Sequence, residues 1–415
     1  MHDIRLLRDQ LDHLRDAMRR RGKLDELGPL LERAESVERD RRTAITELEA
    51  QQARRNKVTQ DVAQRRKAGE DAAELIAESK AIGAAIASLE ARRNDADAAV
   101  QQMLFELPNI TLPEVPEGGE SHNTVVRSWG TPREDGASLK PHWEIGETLG
   151  VLDLPRGAKI SGSGFIVYRG AGARLVRALM NMMLDIHTDE HGYEECWVPL
   201  VVNRASMTGT AQLPKFEDDM YALKDEDLFL IPTAEVPVTN LYRDEILEAT
   251  DLPKAMCAFS ACFRREAGSA GKDTRGLLRV HEFDKVELVR YVTPESSLDE
   301  LEKLTGHAEA ILQRLGLPYR VLLLAAGDTG FASAKTYDLE VFAPGVGKWL
   351  EVSSCSVFTD FQARRANIRY RPAPGEKPRF VHTLNGSALA FSRIIASLLE
   401  HWQQPDRDRR LFFCQ

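Results

Sequence analysis

The chain has 415 residues, 43% of them hydrophobic, which is enough for two or more domains with sizeable cores. No stretch approaches the ~18 consecutive apolar residues of a membrane helix, and residues 1–21 are charged throughout. We therefore expect neither a membrane span nor a secretory signal. The five cysteines include no C-x-x-C pair, which favours a cytoplasmic protein without zinc. The net charge of −9 argues weakly against a generic nucleic-acid binder.

Residues 1–106 predict a helical arm. They contain no Trp or Tyr, and the helix formers Ala, Glu, Arg, Gln and Leu dominate. Two segments carry a heptad-like apolar stripe. Its members are Leu30, Ala34, Val37, Ala44, Leu48, Val58 and Val62 in the first segment, and Leu75, Ile82, Ile86, Leu89, Ala96, Val100 and Met103 in the second. With a glycine-containing turn at residues 65–71, this pattern predicts a long antiparallel helical hairpin, a coiled coil reaching about 60 Å.

The far end of this hairpin is basic. The residues concerned are Arg54, Arg55, Lys57, Arg65, Arg66 and Lys67, opposed in that stretch mainly by Asp61. One interpretation is a dimerisation coil or a spacer. The other is a lever whose basic tip grips a phosphate backbone at a distance from the main body.

Residues 107–130 are rich in Pro and Gly and predict a linker. Residues 131–415 then mix helical stretches, such as 171–190 and 295–315, with short β-branched runs. The strand candidates are residues 195–202, 228–231, 255–264, 280–292, 319–324, 337–343 and 349–357. Because no regular βαβ rhythm is present, we predict an α+β domain with a mostly antiparallel sheet flanked by helices. The Gly-rich residues 161–164 match no dinucleotide fingerprint and are interpreted as a turn.

The most informative stretch is F-R-R-E-A-G at residues 263–268, a Gly-rich loop, and R-V-H-E-F-D-K-V-E at residues 279–287. It predicts two strands joined by a loop whose glycines, Gly268, Gly271 and Gly276, allow closure over a polyphosphate. Guanidinium groups on both strands can bind phosphate oxygens in bidentate fashion, and an aromatic ring can stack on a base. A hairpin with exposed salt bridges explains any single Arg–Glu pair equally well.

This hairpin resembles motif 2 of the class II aminoacyl-tRNA synthetases. Residues 191–199 resemble motif 1, a dimer-interface element, and residues 384–393 (L-N-G-S-A-L-A-F-S-R) resemble motif 3. Three further stretches resemble the seryl-tRNA synthetase family, as does the helical arm: residues 208–216, residues 231–237, and residues 351–356 with 361–365. The resemblance is collinear over nearly the whole chain.

The resemblance implies an ATP- and Mg²⁺-dependent ligase that activates L-serine and charges tRNA(Ser). The implied catalytic residues are Arg264, Arg279 and Arg393. The implied ATP-binding residues are Arg264, Arg265, Glu266, Arg279, Val280, Phe283, Glu351, Val352, Ser353, Ser354 and Arg393. Within this set, Glu351 and Ser354 would hold Mg²⁺ through oxygen. No general base is expected, because the serine carboxylate is already ionised.

The implied serine-binding residues are Thr233, Ala234, Glu235, Arg264, Glu287, Asn385 and Ser387. Motif 1 implies a homodimer. The basic arm tip would be the tRNA-binding element, which favours the lever interpretation of the hairpin over a spacer.

Four features depart from the family pattern: Glu282, Ala211, Ser392 and the short basic tail after residue 402. Glu282 would add a negative charge beside the adenine pocket. The alternative function left open by these departures is a divergent paralogue that forms seryl-adenylate for a biosynthetic pathway or another acceptor. A non-catalytic regulator is disfavoured, because it would not need a complete ATP site.

Overall fold

The structure is a computed structural model that describes residues 1–133, 139–267 and 275–404. Gly268 and Gly271 of the predicted phosphate loop, and the tail after Gln404, lie outside the described residues. The chain divides into two compact units, Met1–Pro108 and Asn109–Gln415. None of the described helices is long and apolar enough to cross a membrane.

The first unit is helical throughout. Its helices are α1 (Arg5–Asp9), α2 (Leu11–Arg20), α3 (Leu24–Ala68) and α4 (Ala73–Glu106). The 45-residue α3 pairs with α4 as the predicted hairpin, and Gly69 ends α3 in the left-handed conformation, with φ of 76°. The apolar stripe is confirmed distally, where Leu48, Val58, Ile82 and Ile86 form one cluster. Nearer the base, Leu31 rather than Leu30 is fully buried.

The second unit alternates short helices with strands. In chain order these are β1 (Thr124–Trp129), α5 (His142–Thr148), α6 (Leu154–Ser161), α7 (Ala171–Asp185), β2 (Glu194–Glu195), β3 (Val201–Asn203), α8 (Arg204–Gly209), β4 (Leu228–Leu230), α9 (Glu235–Thr239), β5 (Ile246–Glu248), β6 (Lys254–Phe263) and β7 (Glu282–Val292). There follow α10 (Ser297–Arg314), β8 (Tyr319–Leu323), β9 (Lys335–Ala343), β10 (Lys348–Val357), α11 (Phe361–Ala366), β11 (Arg369–Arg371), β12 (Arg379–Phe380), β13 (His382–Ala390) and α12 (Phe391–His401).

An eight-stranded sheet in the order β1-β8-β9-β10-β13-β7-β6-β2 forms the centre of this unit. Every neighbouring pair in it is antiparallel except β2 with β6, which confirms the predicted α+β class. Helix α10 packs on one face, and Gly386 allows its close approach, because a Cβ there would lie 2.2 Å from Leu304 Cδ2. The opposite face is thus left for side chains such as Ser387, which alternates with Gly386 along β13.

Two predicted elements differ from the observed ones. The candidate strand at residues 195–202 is two short strands, β2 and β3, in different sheets. The predicted linker, residues 107–130, contains β1, which pairs with β8 at the edge of the main sheet. The turn predicted at residues 161–164 is confirmed: Gly162 and Gly164 have φ of 99° and 82°.

Candidate active site

A single cleft opens where the ends of β6 and β7 meet β10, β13 and the start of α12. It is lined by Arg264, Glu266, Leu278, Arg279, Val280, Phe283, Lys285, Glu351, Val352, Ser387, Ala390, Ser392 and Arg393. The antiparallel pairing of β6 with β7 sets Cys262 opposite Phe283, so Arg264, just beyond β6, reaches the same cleft. The three arginines predicted as catalytic therefore line one space.

Arg264 lies between two parts of this cleft. Its guanidinium carbon is 5.2 Å from the centroid of the Phe283 ring, a cation–π distance. Its Nε donates a hydrogen bond of 3.3 Å to the carbonyl of Pro232, the residue before Thr233. Arg264 consequently connects the aromatic side of the cleft to the segment predicted to bind serine.

Arg393 and Arg279 are oriented by acceptors of the cleft wall. Arg393 donates to the carbonyls of Glu351 (2.7 Å) and Leu278 (3.2 Å) from the first turn of α12. Arg279 Nη1 donates to Glu266 Oε2 at 2.5 Å, and Glu266 holds a left-handed backbone with φ of 53°. The cleft therefore presents a strongly cationic wall that includes two carboxylates, Glu266 paired with Arg279 and Glu351 paired with Arg393.

Beside this cationic wall lies a buried acidic group. Asn385 Nδ2 donates to Glu235 Oε2 (3.0 Å) and to Glu287 Oε1 (2.9 Å), so one amide bridges two carboxylates. Lys285 pairs with Glu287 and donates to Thr233 Oγ1 at 2.9 Å. Two carboxylates and one ammonium leave a formal charge of −1. Such a group suits one additional cation.

Burial, and then the neighbouring charge of Glu287, raise the pKa of Glu235 to about 7. The hydrogen bond from Gln362 and the charges of Lys285 and Arg264 act in the opposite direction. The side chain is fully buried, so a bound cation would strongly favour its ionised form. The carboxyl group of Glu235 therefore has its pKa close to neutral pH.

A second acidic pair lies at the β9–β10 ladder. Asp338 pairs in register with Ser354, and Glu351 pairs with Glu340. Burial and the charge of Glu351 raise the pKa of Asp338, while Ser354 hydrogen-bonds it and acts in the opposite direction. Asp338 Oδ1 is buried without a hydrogen-bond partner. Within the described ranges, no three His, Cys, Asp or Glu side chains form a metal-binding group.

Several predicted site residues lie outside the cleft. Arg265 donates from its backbone to Asp219 O and from its guanidinium to Asp218 O, so its side chain faces away. Ser353 is buried and donates to the carbonyl of Ser387. Phe283 lines the cleft, whereas the strand alternation of β7 assigns Glu282 to the opposite face.

Two of the other departures, Ala211 and Ser392, are accommodated. Ala211 is buried and holds φ of 68°, the conformation in which glycine costs least. Ser392 lines the cleft beside Arg393. The short tail lies outside the described residues.

Leu278 and Ala390 of the cleft lining were not predicted as site residues, nor were three charged or amide side chains in or beside it. Lys285 lines the cleft, although a lysine on a strand is usually a surface residue. Its spacing of two from Phe283 and from Glu287 was the available signal, because all three share one strand face. Gln362 was quoted only as part of a family stretch. Asp338 gave no signal in the sequence.

The predicted tRNA-binding residues lie on the arm. Arg54 pairs with Glu78 of the opposing helix at 2.6 Å, and Arg65 donates to the carbonyl of Asp71 at 3.4 Å. The others, Arg55, Lys57, Arg66 and Lys67, are exposed. Arg54 thus contributes to the pairing of the two helices.

Comparisons with known proteins agree in both units. The model of the seryl-tRNA synthetase N-terminal domain matches residues 1–111, and that of the tRNA synthetase class II core domain (G, H, P, S and T) matches residues 215–402. A serine–tRNA ligase of Gemmatimonas aurantiaca is 81% identical over 411 residues, or 99% of this chain and 97% of the relative.

Solved structures are also similar over nearly the full length. The seryl-tRNA synthetase of Pyrococcus horikoshii complexed with ATP superposes with a TM-score of 0.94 and 39% identity, covering 98% of this chain and 95% of that chain. The cytoplasmic serine–tRNA ligase of Naegleria fowleri in complex with AMP gives 0.87 and 28% identity, with coverages of 98% and 94%.

Proposed function

The chain belongs to the seryl-tRNA synthetase family, and we propose that the cleft described above is where it activates serine with ATP and charges tRNA(Ser). The observation that carries this proposal is the adjacency of two complementary sites. A cationic wall suited to a triphosphate adjoins a buried acidic group suited to an ammonium, and Arg264 connects them through Phe283 and Pro232. A nucleotide and an amino acid would meet beside one guanidinium group.

In the amino-acid half, Glu235 and Glu287 would bind the serine ammonium, which neutralises the formal charge of −1 described above. Thr233 and Ala234 form the adjoining backbone segment, and both are buried. Asn385 and Ser387 would hydrogen-bond the serine hydroxyl. A pocket that pairs this hydroxyl rejects alanine strongly, because its own polar groups would be left unpaired.

In the nucleotide half, Phe283 would stack on adenine, while Arg264 would contact the α-phosphate and the serine carboxylate. Arg279 and Arg393 would hold the β- and γ-phosphates. A triphosphate would compete with Glu266 for Arg279, because both are anions at the same guanidinium. Release from that pair would free the Glu266 carboxylate to accept from the adenine amine.

The reaction then needs positioning and charge neutralisation more than acid–base help. A serine carboxylate oxygen bonds to the α-phosphorus as the bond to the pyrophosphate oxygen breaks. The terminal tRNA hydroxyl next attacks the seryl carbonyl carbon, its proton is lost, and AMP leaves. Arg264 would stabilise the negative charge in the first step.

Mg²⁺ is supported by the donor set at the cleft edge. Glu351 and Ser354 would hold it, and Asp338, whose buried Oδ1 has no hydrogen-bond partner, would place a second carboxyl group beside them that a bound cation would ionise. When bound, the ion neutralises charge on the phosphate oxygens.

We further propose a homodimer. Trp197 is 80% exposed and is followed by the exposed Leu200 and Val201, all in or beside the motif 1 stretch. An apolar patch of this kind is typical of a surface covered by a partner.

The arm tip would bind tRNA. The four described cysteines carry free thiols, which is consistent with a cytoplasmic location.

The purified chain is expected to catalyse ATP–pyrophosphate exchange with serine, to reject threonine and alanine, and to charge total tRNA with serine. The same preparation is expected to sediment as a dimer. Exchange without charging would favour the alternative, a seryl-adenylate donor for another acceptor. Absence of exchange with all three amino acids would refute the assignment of the cleft.

A further inference from the structure

Gln362, in the first turn of α11, lies completely buried behind the acidic group. Its Nε2 donates to Glu235 Oε1 at 2.6 Å and approaches the carbonyl of Thr210 at 3.4 Å. Its Oε1 accepts a hydrogen bond of 2.7 Å from Thr383 Oγ1 on β13. One amide therefore joins three segments that are distant in sequence.

The orientation of this amide follows from its partners. An ionised carboxylate and a backbone carbonyl can only accept, so the nitrogen must face Glu235 and Thr210. The Thr383 hydroxyl can donate, and it does so to the remaining amide oxygen. The flipped amide would set an oxygen against the Glu235 carboxylate, which is repulsive.

The same helix also holds the loop at residues 208–213. Arg365, one turn after Gln362, points its Nη1 at the carbonyls of Thr208 (3.5 Å) and Leu213 (3.3 Å). The loop is therefore connected to α11 at both ends and, through Thr210 and Gln362, to Glu235. This loop lies within residues 208–216, one of the stretches that resemble the seryl-tRNA synthetase family.

On this basis we propose that Gln362 is a positioning residue for serine. It keeps the Glu235 carboxylate aimed at the substrate ammonium and connects that carboxylate to the 208–213 loop. The inference rests on the proposed function, since it assumes that Glu235 binds the ammonium. Gln362 itself touches Glu235, not the substrate.

The charges around Glu235 give this role a measurable consequence. Glu287 and burial disfavour its ionised form, whereas Lys285, Arg264 and the Gln362 donor favour it. Asn385 adds a neutral donor from β13. Because only the ionised carboxylate binds an ammonium well, kcat/KM for serine should fall as pH drops through about 7. This fall is the acid limb of the pH profile of kcat/KM for serine. Removing the Gln362 donor should move the acid limb to higher pH.

The test is the Gln362→Met variant of the full-length protein in ATP–pyrophosphate exchange from pH 5.5 to 9. A hydrogen bond to a charged group is worth enough for a roughly tenfold rise in KM for serine and an upward shift of about one pH unit in the acid limb. KM for ATP should stay within about twofold, because Gln362 does not line the nucleotide cleft.

Two further variants make the result decisive. Thr383→Val keeps Gln362 but removes its orienting hydroxyl, so a smaller shift in the same direction is expected even if Gln362→Met does not fold. Gln313→Met is a control for the substitution itself, because Gln313 is exposed and donates to Tyr319 Oη at 2.9 Å, away from this cleft; it should change neither KM nor the acid limb. An unmoved acid limb in Thr383→Val and Gln362→Met, or equal rises in both KM values, would overturn the inference. Wild-type protein without serine exchange would instead refute the proposed function.

Discussion

Alternation along β7 determines which of its side chains can reach the nucleotide. Phe283, Lys285 and Glu287 share the cleft face, whereas Glu282 and Asp284 lie on the other. Burial, and then the charge of Glu282, raise the pKa of Asp284 to about 6. Glu282 therefore acts on a neighbouring carboxyl group, and under the proposed function it would not reach adenine.

The Glu282→Gln variant should leave KM for ATP within about twofold. A raised folded-state pKa means that Asp284 lowers stability as pH rises from its unfolded value towards about 6. Without Glu282 this penalty shrinks, so the variant should be more stable at pH 8 by up to about 1 kcal/mol, and unchanged near pH 3. Urea unfolding at both pH values measures this. A fivefold change in KM for ATP would show that Glu282 does reach the nucleotide.

At the same scale, motif spacing predicted Arg264, Phe283 and Arg393 well, because two paired strands and the turn into α12 bring them together. The partners of these residues were harder to predict. Gln362 meets Glu235 across 127 positions of sequence, through a helix of six residues. Periodicity within one element carries no information about such a contact.

At the scale of elements, long periodic segments were predicted accurately and short ones were not. The helices at residues 171–190 and 295–315 correspond to α7 and α10, and most strand candidates lie within two residues of their observed bounds. The strand β13 was interpreted only as a motif. It is buried on both faces at the sheet centre, so it lacks the polar alternation that marks an edge strand.

The end of α12 holds the far edge of the nucleotide cleft. Glu400 is fully buried and accepts four N–H groups: the backbone (2.9 Å) and Nδ1 (2.7 Å) of His142, and the backbones of Gly345 (2.8 Å) and Val346 (3.1 Å). His142 Nε2 in turn accepts from Leu277 N at 2.9 Å, just before Arg279 and Val280. The Glu400 carboxylate therefore fixes the backbone just before three residues that line the cleft, Leu278, Arg279 and Val280.

Replacing Glu400 by Gln should therefore cost both stability and ATP affinity. The new NH₂ group must face a donor in a buried site, which destabilises by about 2–4 kcal/mol. KM for ATP should rise more than KM for serine, because Leu277 precedes the nucleotide wall. The matched control is Glu295→Gln, which breaks an exposed pair with Arg379 and should cost under about 1 kcal/mol. Equal stability of the two variants by thermal unfolding would contradict this anchoring.

At the scale of the whole molecule, composition alone separated a helical arm from a mixed α/β body. Cross-helix pairs such as Arg41 with Asp97 and Arg92 with Asp40 connect the two arm helices, while the apolar stripe between them stays narrow. The hydrophobic core of the second unit is built from its own residues, such as Leu288, Val321 and Leu384. Under the proposed function, the second unit carries the chemistry and the first binds tRNA.

Removing residues 51–81 and closing the gap with a short Gly-rich turn tests this division, since the ion pair of Arg54 with Glu78 implies that residues 50 and 82 lie opposite each other. Serine-dependent exchange should survive, while charging of tRNA should fall by on the order of a hundredfold.

A finer version neutralises the exposed tip with Arg66→Gln and Lys67→Gln, and compares it with Arg33→Gln and Arg39→Gln, exposed positions nearer the arm base. Each lost phosphate contact lowers the magnitude of the slope of log affinity against log salt concentration by about one. The Arg66→Gln and Lys67→Gln variant should therefore lower this magnitude by about two and raise KM for tRNA. The Arg33→Gln and Arg39→Gln variant should change neither the salt dependence of tRNA binding nor KM for tRNA. If both pairs weaken charging equally, the arm attracts tRNA through its overall charge, and the tip is not a contact site.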